Sequence, residues 1–235
     1  RKMRRSIARI AALVLIMSIV GQTGAMAQEG KTKKADKAKV EKLAGKKLFN
    51  GKDLKNWVFK LKDESVDPAG VFTVVDGVIH IKGDPFGYMR TKGSYSDYAL
   101  HVEWRWPVEA TNSGVFVHGQ EPDTIWLKCI ENQLSAGNAG DLLCMGGSDM
   151  NERTDKSKMA VKKMNPSNVK PVGEWNSMDI ICLGDSIEVT VNGLLQNRGS
   201  GLTITSGHIC LQSEGNWKPR NLDLEVTRII HQMGV

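Results

Sequence analysis

No apolar stretch in this 235-residue sequence is long enough to cross a bilayer. The longest, Ile10–Val20, has 11 residues, whereas a spanning helix needs about 20. Cysteine is sparse as well. Cys129, Cys144, Cys182 and Cys210 are widely spaced and form no Cys-x-x-Cys pair, which argues against a structural zinc site. Internal repeats and long amphipathic helical patterns are missing, so neither a solenoid nor a helical bundle is expected.

What is present at the N-terminus has three zones. Arg1, Lys2, Arg4, Arg5 and Arg9 are basic, Ile10–Val20 is apolar, and Ala25-Met26-Ala27 gives a small-x-small site followed by Gln28. This is the pattern of a signal peptide over residues 1–27. The expected location is therefore periplasmic or secreted. No cysteine lies near the cleavage site, so a lipoprotein anchor is not expected, and neither is a stable membrane span. In an exported chain, four cysteines leave disulfides and free buried thiols both open.

The charge is unevenly placed. The whole chain carries +6; the leader contributes +5, and Glu29–Lys47, with eight lysines against three acids, another +5. That leaves −4 for residues 48–235. The basic character belongs to the leader and to a Lys-rich linker at 28–47, which reads as a solvated tether. A nucleic-acid partner is excluded on this ground, since its binding needs a basic footprint on the folded surface.

The remainder, 48–235, reads as one domain of many short apolar, β-branched and aromatic runs punctuated by Gly, Asn, Asp and Pro. The predicted strands are Phe72–Val75, Val78–Lys82, Tyr88–Thr91, Tyr98–Trp106, Gly114–His118, Ile125–Gln133, Trp175–Leu183, Ser186–Val191, His208–Gln212 and Leu222–Ile230. Asp76-Gly77 and Asn192-Gly193 sit between strand runs, as type I′ hairpin turns require. The polar stretch Gly146–Pro171 is expected to be a long loop. The fold class is all-β, an antiparallel sandwich or barrel.

A series of short motifs runs through this domain: Leu48-Phe49-Asn50-Gly51-Lys52-Asp53-Leu54 with Trp57, Asp76-Gly77-Val78, Asp97-Tyr98-Ala99-Leu100, Glu103-Trp104-Arg105, Asn112-Ser113-Gly114-Val115-Phe116, Ile130-Glu131-Asn132-Gln133, Gly173-Glu174-Trp175-Asn176 and Gly207-His208-Ile209-Cys210-Leu211-Gln212. Each is weak alone. In this order they resemble the 3-keto-disaccharide hydrolase domain family. The resemblance implies an antiparallel β-sandwich of the jelly-roll, concanavalin A-like lectin/glucanase type. It also implies cleavage of glycosides carrying a ketone at C3.

Strand side chains alternate between faces, and this singles out polar candidates. His101, Glu103 and Arg105 share one face of their strand. Glu131 and Gln133 share another with Cys129, and Gln212 and Glu214 a third with His208 and Cys210. His118 is expected beside Phe116. An ordinary solvated sheet face carries polar residues too. Arg105 could simply neutralise Glu103, His118 could be a satisfied strand-end histidine, and Asn112 belongs first to a turn. Nevertheless, carboxylates, amides and Arg suit sugar hydroxyls better than the Lys, Ser and Thr usual on surfaces. The candidate catalytic residues are Glu103, Glu131, His118 and Glu214. The candidate substrate-binding residues are Arg105, Gln133, Gln212 and Asn112, with Trp126 and Trp217 as stacking platforms; Trp57, Trp104 and Trp175 read as core.

The chemistry that the resemblance implies needs a base for the proton at C2, a stabiliser for the resulting enolate oxygen and an acid for the departing C1 oxygen. No cofactor is certain. A divalent cation held by Glu131 and His118 is one option for the stabiliser. The same carboxylates would serve a conventional two-carboxylate glycosidase. A non-catalytic carbohydrate-binding module and a purely structural sandwich also stay open, because fold alone does not decide function.

Overall fold

The structure is a computed structural model that describes residues 46–215 and 224–233. The expected leader and most of the Lys-rich linker, together with Trp217, lie outside the described residues. No helix among the described residues is long and apolar enough to cross a membrane.

The described chain forms fifteen strands in two sheets. They are β1 (Lys46–Lys47), β2 (Trp57–Leu61), β3 (Phe72–Val75), β4 (Val78–Ile81), β5 (Gly87–Thr91), β6 (Tyr98–Arg105), β7 (Gly114–Gly119), β8 (Cys129–Gln133), β9 (Leu142–Met145), β10 (Ala160–Val161), β11 (Asn176–Leu183), β12 (Ser186–Val191), β13 (Leu194–Gly199), β14 (His208–Ser213) and β15 (Leu224–Met233). One sheet runs β13-β12-β11-β6-β15-β4-β3, with β1 beside β15; the other runs β10-β9-β8-β7-β14-β5-β2. We call them the first and second sheets. Neighbouring strands are antiparallel throughout. Consecutive strands often switch sheets, as in an all-β sandwich with crossing connections.

The core lies between the sheets and follows from strict alternation. In β6, Tyr98, Leu100, Val102 and Trp104 are buried in it, while His101, Glu103 and Arg105 are only partly covered on the opposite face. The second sheet contributes Met89, Val115, Val117, Ile130, Leu142, Ile209 and Leu211. Trp104 and Trp106 meet edge to face at 4.5 Å. The two hairpin turns have the expected left-handed backbone: Asp76 and Gly77 at φ 50° and 79°, Asn192 and Gly193 at 47° and 78°.

Two departures from the sequence reading matter. The strand expected over Ile125–Gln133 starts only at Cys129, and residues 120–128 form a loop that folds back over the second sheet. Strands β1, β2, β9, β10 and β13 were not expected: β1 and β10 have two residues each, β9 is an apolar run without alternation, and Lys60 in β2 and Gln196 and Asn197 in β13 blur the pattern. Of the two states the sequence leaves open for the four cysteines, the structure has the free, buried one for all of them.

Candidate functional site

The outer face of the second sheet is where the polar candidates meet. On β8 the side chains of Cys129, Glu131 and Gln133 point outward, because Ile130 between them is held in the core. On β14 Cys210 and Gln212 point outward for the same reason, with Ile209 and Leu211 inward. Pairing of Cys210 with Phe116, and of Phe116 with Glu131, carries these residues across β7 into one row. At the next level β7 presents only Gly114. The Glu131 carboxyl occupies the space this leaves: a Cβ on Gly114 would sit 2.5 Å from Glu131 Oε1.

Glu131 is 2% exposed, and its Oε1 has no hydrogen-bond partner among the described residues. Burial, and secondarily the charge of Glu214, pushes its carboxyl up to about 8. A buried carboxyl without a counter-charge holds its proton at neutral pH. Glu214 follows β14 directly and is half-buried. Burial raises it too, but side-chain hydrogen bonds from Asn112 and Gln212 pull in the opposite direction. With their amide N–H groups turned to Glu214, Asn112 Oδ1 and Gln212 Oε1 are buried and without partners among the described residues. The site is thus two neighbouring carboxyl groups with different proton affinities and three buried acceptor oxygens that no donor of the described chain satisfies. Buried acceptors are normally paired, so this arrangement fits a ligand that brings hydroxyl donors.

Beside this cleft the face is closed by residues 120–128. Leu127 packs with Phe116, Cys129, Cys210, Tyr88 and Met145 in a small second core. Arg90 holds the loop with two parallel bonds to Asp123, Nε to Oδ1 and Nη2 to Oδ2, both at 2.7 Å, and Nη2 also reaches Glu121 at 3.1 Å. The Tyr88 hydroxyl lies 3.1 Å from the Thr124 carbonyl and 3.2 Å from Asp123 Oδ1. Sequence reasoning missed this set. Tyr88 and Arg90 alternate visibly on a predicted strand, but their acidic partner comes from a loop whose path no local pattern gives. At the tip of the loop Trp126 is 63% exposed and its ring lies 5.1 Å from that of Phe86.

Several predicted site residues are not part of this cleft. Glu103 and Arg105 lie on β6, at the centre of the first sheet, and face the opposite side of the molecule. There His101 donates to Asp179 (2.5 Å) and approaches Glu103 (3.5 Å). Arg105 donates to the Gly173 carbonyl and packs over Trp175 at 4.7 Å. Burial lowers the His101 pKa, but its bonds to Asp179 and Glu103 outweigh this and raise it to about 9. Gln133 does lie on the face of Glu131, yet its Oε1 accepts the backbone N–H groups of Leu134 and Ser135 and so caps a turn.

His118 is the clearest correction. Phe116 pairs with Cys210 but Gly119 pairs with His208, so β7 takes three steps for two of β14. The extra residue is a β-bulge. His118 adopts a left-handed backbone, φ 55°. The bulge breaks the alternation with Phe116 and turns the imidazole inward, edge to face with Tyr98 at 5.8 Å. Its Nδ1 donates to the Ile204 carbonyl at 3.0 Å, and burial lowers its pKa. His118 and Glu131 therefore do not form the expected pair of cation ligands. The described residues contain no group of three His, Cys, Asp or Glu side chains able to hold a metal ion.

Comparison with known proteins adds the following. The family model for the 3-keto-alpha-glucoside-1,2-lyase-like domain matches residues 44–225. No curated protein matches the sequence. Among solved structures, two proteins of Parabacteroides distasonis, provisionally described as glycosyl hydrolases, superpose with TM-scores of 0.57 and 0.58 at 21% and 18% identity. The first match covers 80% of this chain and 98% of the other, the second 87% and 97%. A Bacillus licheniformis β-glucanase superposes with a TM-score of 0.52 at 12% identity, covering 79% and 96%. At these identities the likeness is one of fold.

Proposed function

The chain belongs to the 3-keto-alpha-glucoside-1,2-lyase-like domain family, and from this premise we propose that it cleaves 3-keto-glycosides by elimination, with Glu131 and Glu214 as the working pair. The observation that carries the reading is the pair itself: a buried, proton-holding Glu131 beside a Glu214 that two amides keep closer to the ionised form. Two titratable groups whose surroundings separate their proton affinities are the mark of an acid and a base.

In this scheme the Glu214 carboxylate takes the proton from C2, which the C3 ketone acidifies. The C–H electrons form the enolate across C2, C3 and the C3 oxygen. In this reading the remaining N–H of Asn112 or Gln212 donates to that oxygen. The electrons then re-form the C3 carbonyl and a C1–C2 double bond as the C1–O bond breaks. Glu131 gives its proton to the departing oxygen. Water adding across the double bond completes hydrolysis. One proton leaves C2 and one arrives on the leaving group, so the pair ends with its proton exchanged and resets through solvent.

The test is release of aglycone from 3-keto-glucosides and from the parent glucosides, with and without EDTA. The reading expects release from the keto form alone. Equal release from both would move the chemistry to a conventional glycosidase. Saturable binding without release would make the domain a carbohydrate-binding module. Loss of turnover in EDTA would replace the amide N–H groups by a cation as the stabiliser of the enolate.

A further inference from the structure

The loop over the second sheet places an aromatic surface beside the acid–base pair. The last ladder pair of β5 and β14 is Gly87 with Ser213. Beyond it the next bond runs from the Gly215 N–H to the Gly83 carbonyl, so Asp84, Pro85 and Phe86 lie opposite Glu214. Phe86 is the residue on which Trp126 leans. Trp126 is a large apolar side chain left 63% exposed, in a loop that covers the same outer face of the second sheet that carries the carboxyl and amide groups. Its position does not come from the sheet, since the strand expected from Ile125 begins only at Cys129. It comes from the loop, and the loop is tied down through Asp123.

That tie is built with unusual care for an exposed connection. Asp123 receives both Arg90 bonds in the bidentate fork that fixes geometry as well as charge. The Arg90 side chain is nearly covered. The neighbouring Thr124 carbonyl faces the Tyr88 hydroxyl. The guanidinium is further fixed by the Thr91 carbonyl at 3.2 Å, and His208 lies within 3.5 Å of it. Apart from Asp123 and Thr124 in the loop itself, these groups stand on β5 and on β14, the strand that also carries Gln212.

We propose that Trp126, backed by Phe86, is the platform on which the apolar C–H face of the keto-sugar ring stacks, and that Asp123 is a positioning residue that fixes this platform through Arg90. The choice of the sugar ring over the leaving group rests on the acid–base assignment made above: Glu214, which acts at C2, is the carboxylate next to Phe86, whereas Glu131, which serves the leaving oxygen, lies two strands away across β7. Sugar C–H faces and indole rings match in shape and polarity.

The test separates binding from chemistry. Whole-chain protein carrying Glu131→Gln is titrated with methyl 3-keto-α-glucoside while tryptophan fluorescence is followed, alone and combined with Trp126→Ala. Turnover is measured in parallel for Trp126→Ala, Trp126→Phe and Asp123→Ala. The proposal expects most of the ligand-induced fluorescence change to vanish with Trp126→Ala. It expects KM to rise about tenfold with a much smaller change in kcat, partial retention in Trp126→Phe, and the same KM-weighted loss in Asp123→Ala. If Asp123→Ala does not fold, Asp123→Asn keeps the loop bond to Arg90 without the charge, and its KM is expected between those of the wild type and Trp126→Ala. Unchanged KM and an unchanged fluorescence response in Trp126→Ala would overturn the platform while leaving the carboxyl pair standing. Trp126-dependent binding in a protein that never turns over the keto-sugar would do the reverse.

Discussion

At the scale of single residues, the site depends on a carboxyl held where water does not reach it. Burial raises the Glu131 carboxyl from the usual 4.5 to about 8. A carboxyl whose folded pKa is raised binds its proton more tightly folded than unfolded, so it favours the fold below about pH 4.5 and that advantage is lost as pH rises toward 8. Thermal denaturation of wild type and Glu131→Gln between those limits should show the variant free of a decline that costs the wild type on the order of 4 kcal/mol. Parallel curves for the two proteins would mean that Glu131 is not the titrating group. Gly114 is the second residue of consequence. A methyl there meets the movable end of Glu131 rather than backbone, so Gly114→Ala should fold with a small change in melting temperature yet lose about 100-fold or more in turnover as the carboxyl is pushed aside. A loss of stability with turnover retained would contradict this.

At the scale of elements, the sequence shows which strands exist far better than which way their side chains finally face. The strands Phe72–Val75, Tyr98–Arg105 and Ser186–Val191 and both type I′ hairpins were legible because alternation and Asp-Gly or Asn-Gly turns are local signals. Glu131, Gln212, Glu214 and Asn112 could be picked out one at a time by residue type, and they do come together. Glu103 and Arg105 satisfied the same criterion on β6 and lie on the other sheet, since assignment to a sheet depends on long-range pairing that alternation does not encode. His118 was misplaced by a single bulge residue. Arg90 and Asp123 were invisible as a pair because one partner is in a loop. This sorting predicts that Glu103→Gln and Arg105→Ala change turnover less than about threefold, within what surface substitutions usually do, whereas Glu214→Gln abolishes most of it. Loss of turnover in Glu103→Gln equal to that in Glu131→Gln would return β6 to the site. An NMR titration of the His101 ring, with a midpoint at about 9, would check that the outer face of the first sheet is a self-contained ion-pair network.

At the scale of the whole molecule, the sandwich has one face that neutralises its own charges and one that leaves acceptors unfilled beside an exposed tryptophan. The four cysteines take no part in holding the sheets together. All are buried and free, and burial raises the thiols of Cys182 and Cys210. Iodoacetamide should therefore leave the native domain unmodified and label all four after unfolding, with no change in melting temperature on adding a reductant. Labelling of fewer than four in the unfolded, unreduced chain would reveal a bridge. The central claim, that Glu131 is the acid and Glu214 the base of an elimination, is tested most directly by the pH dependence of kcat/KM for Glu131→Gln and wild type on two 3-keto-glucosides, one with an alkyl and one with a nitrophenyl leaving group. The account predicts that wild-type activity on the alkyl substrate falls above about pH 8. It predicts that Glu131→Gln loses this alkaline limb along with about 100-fold or more of the rate, and that the loss is much smaller for nitrophenolate, which departs without a proton. Equal losses on both substrates, or an unchanged alkaline limb, would contradict it.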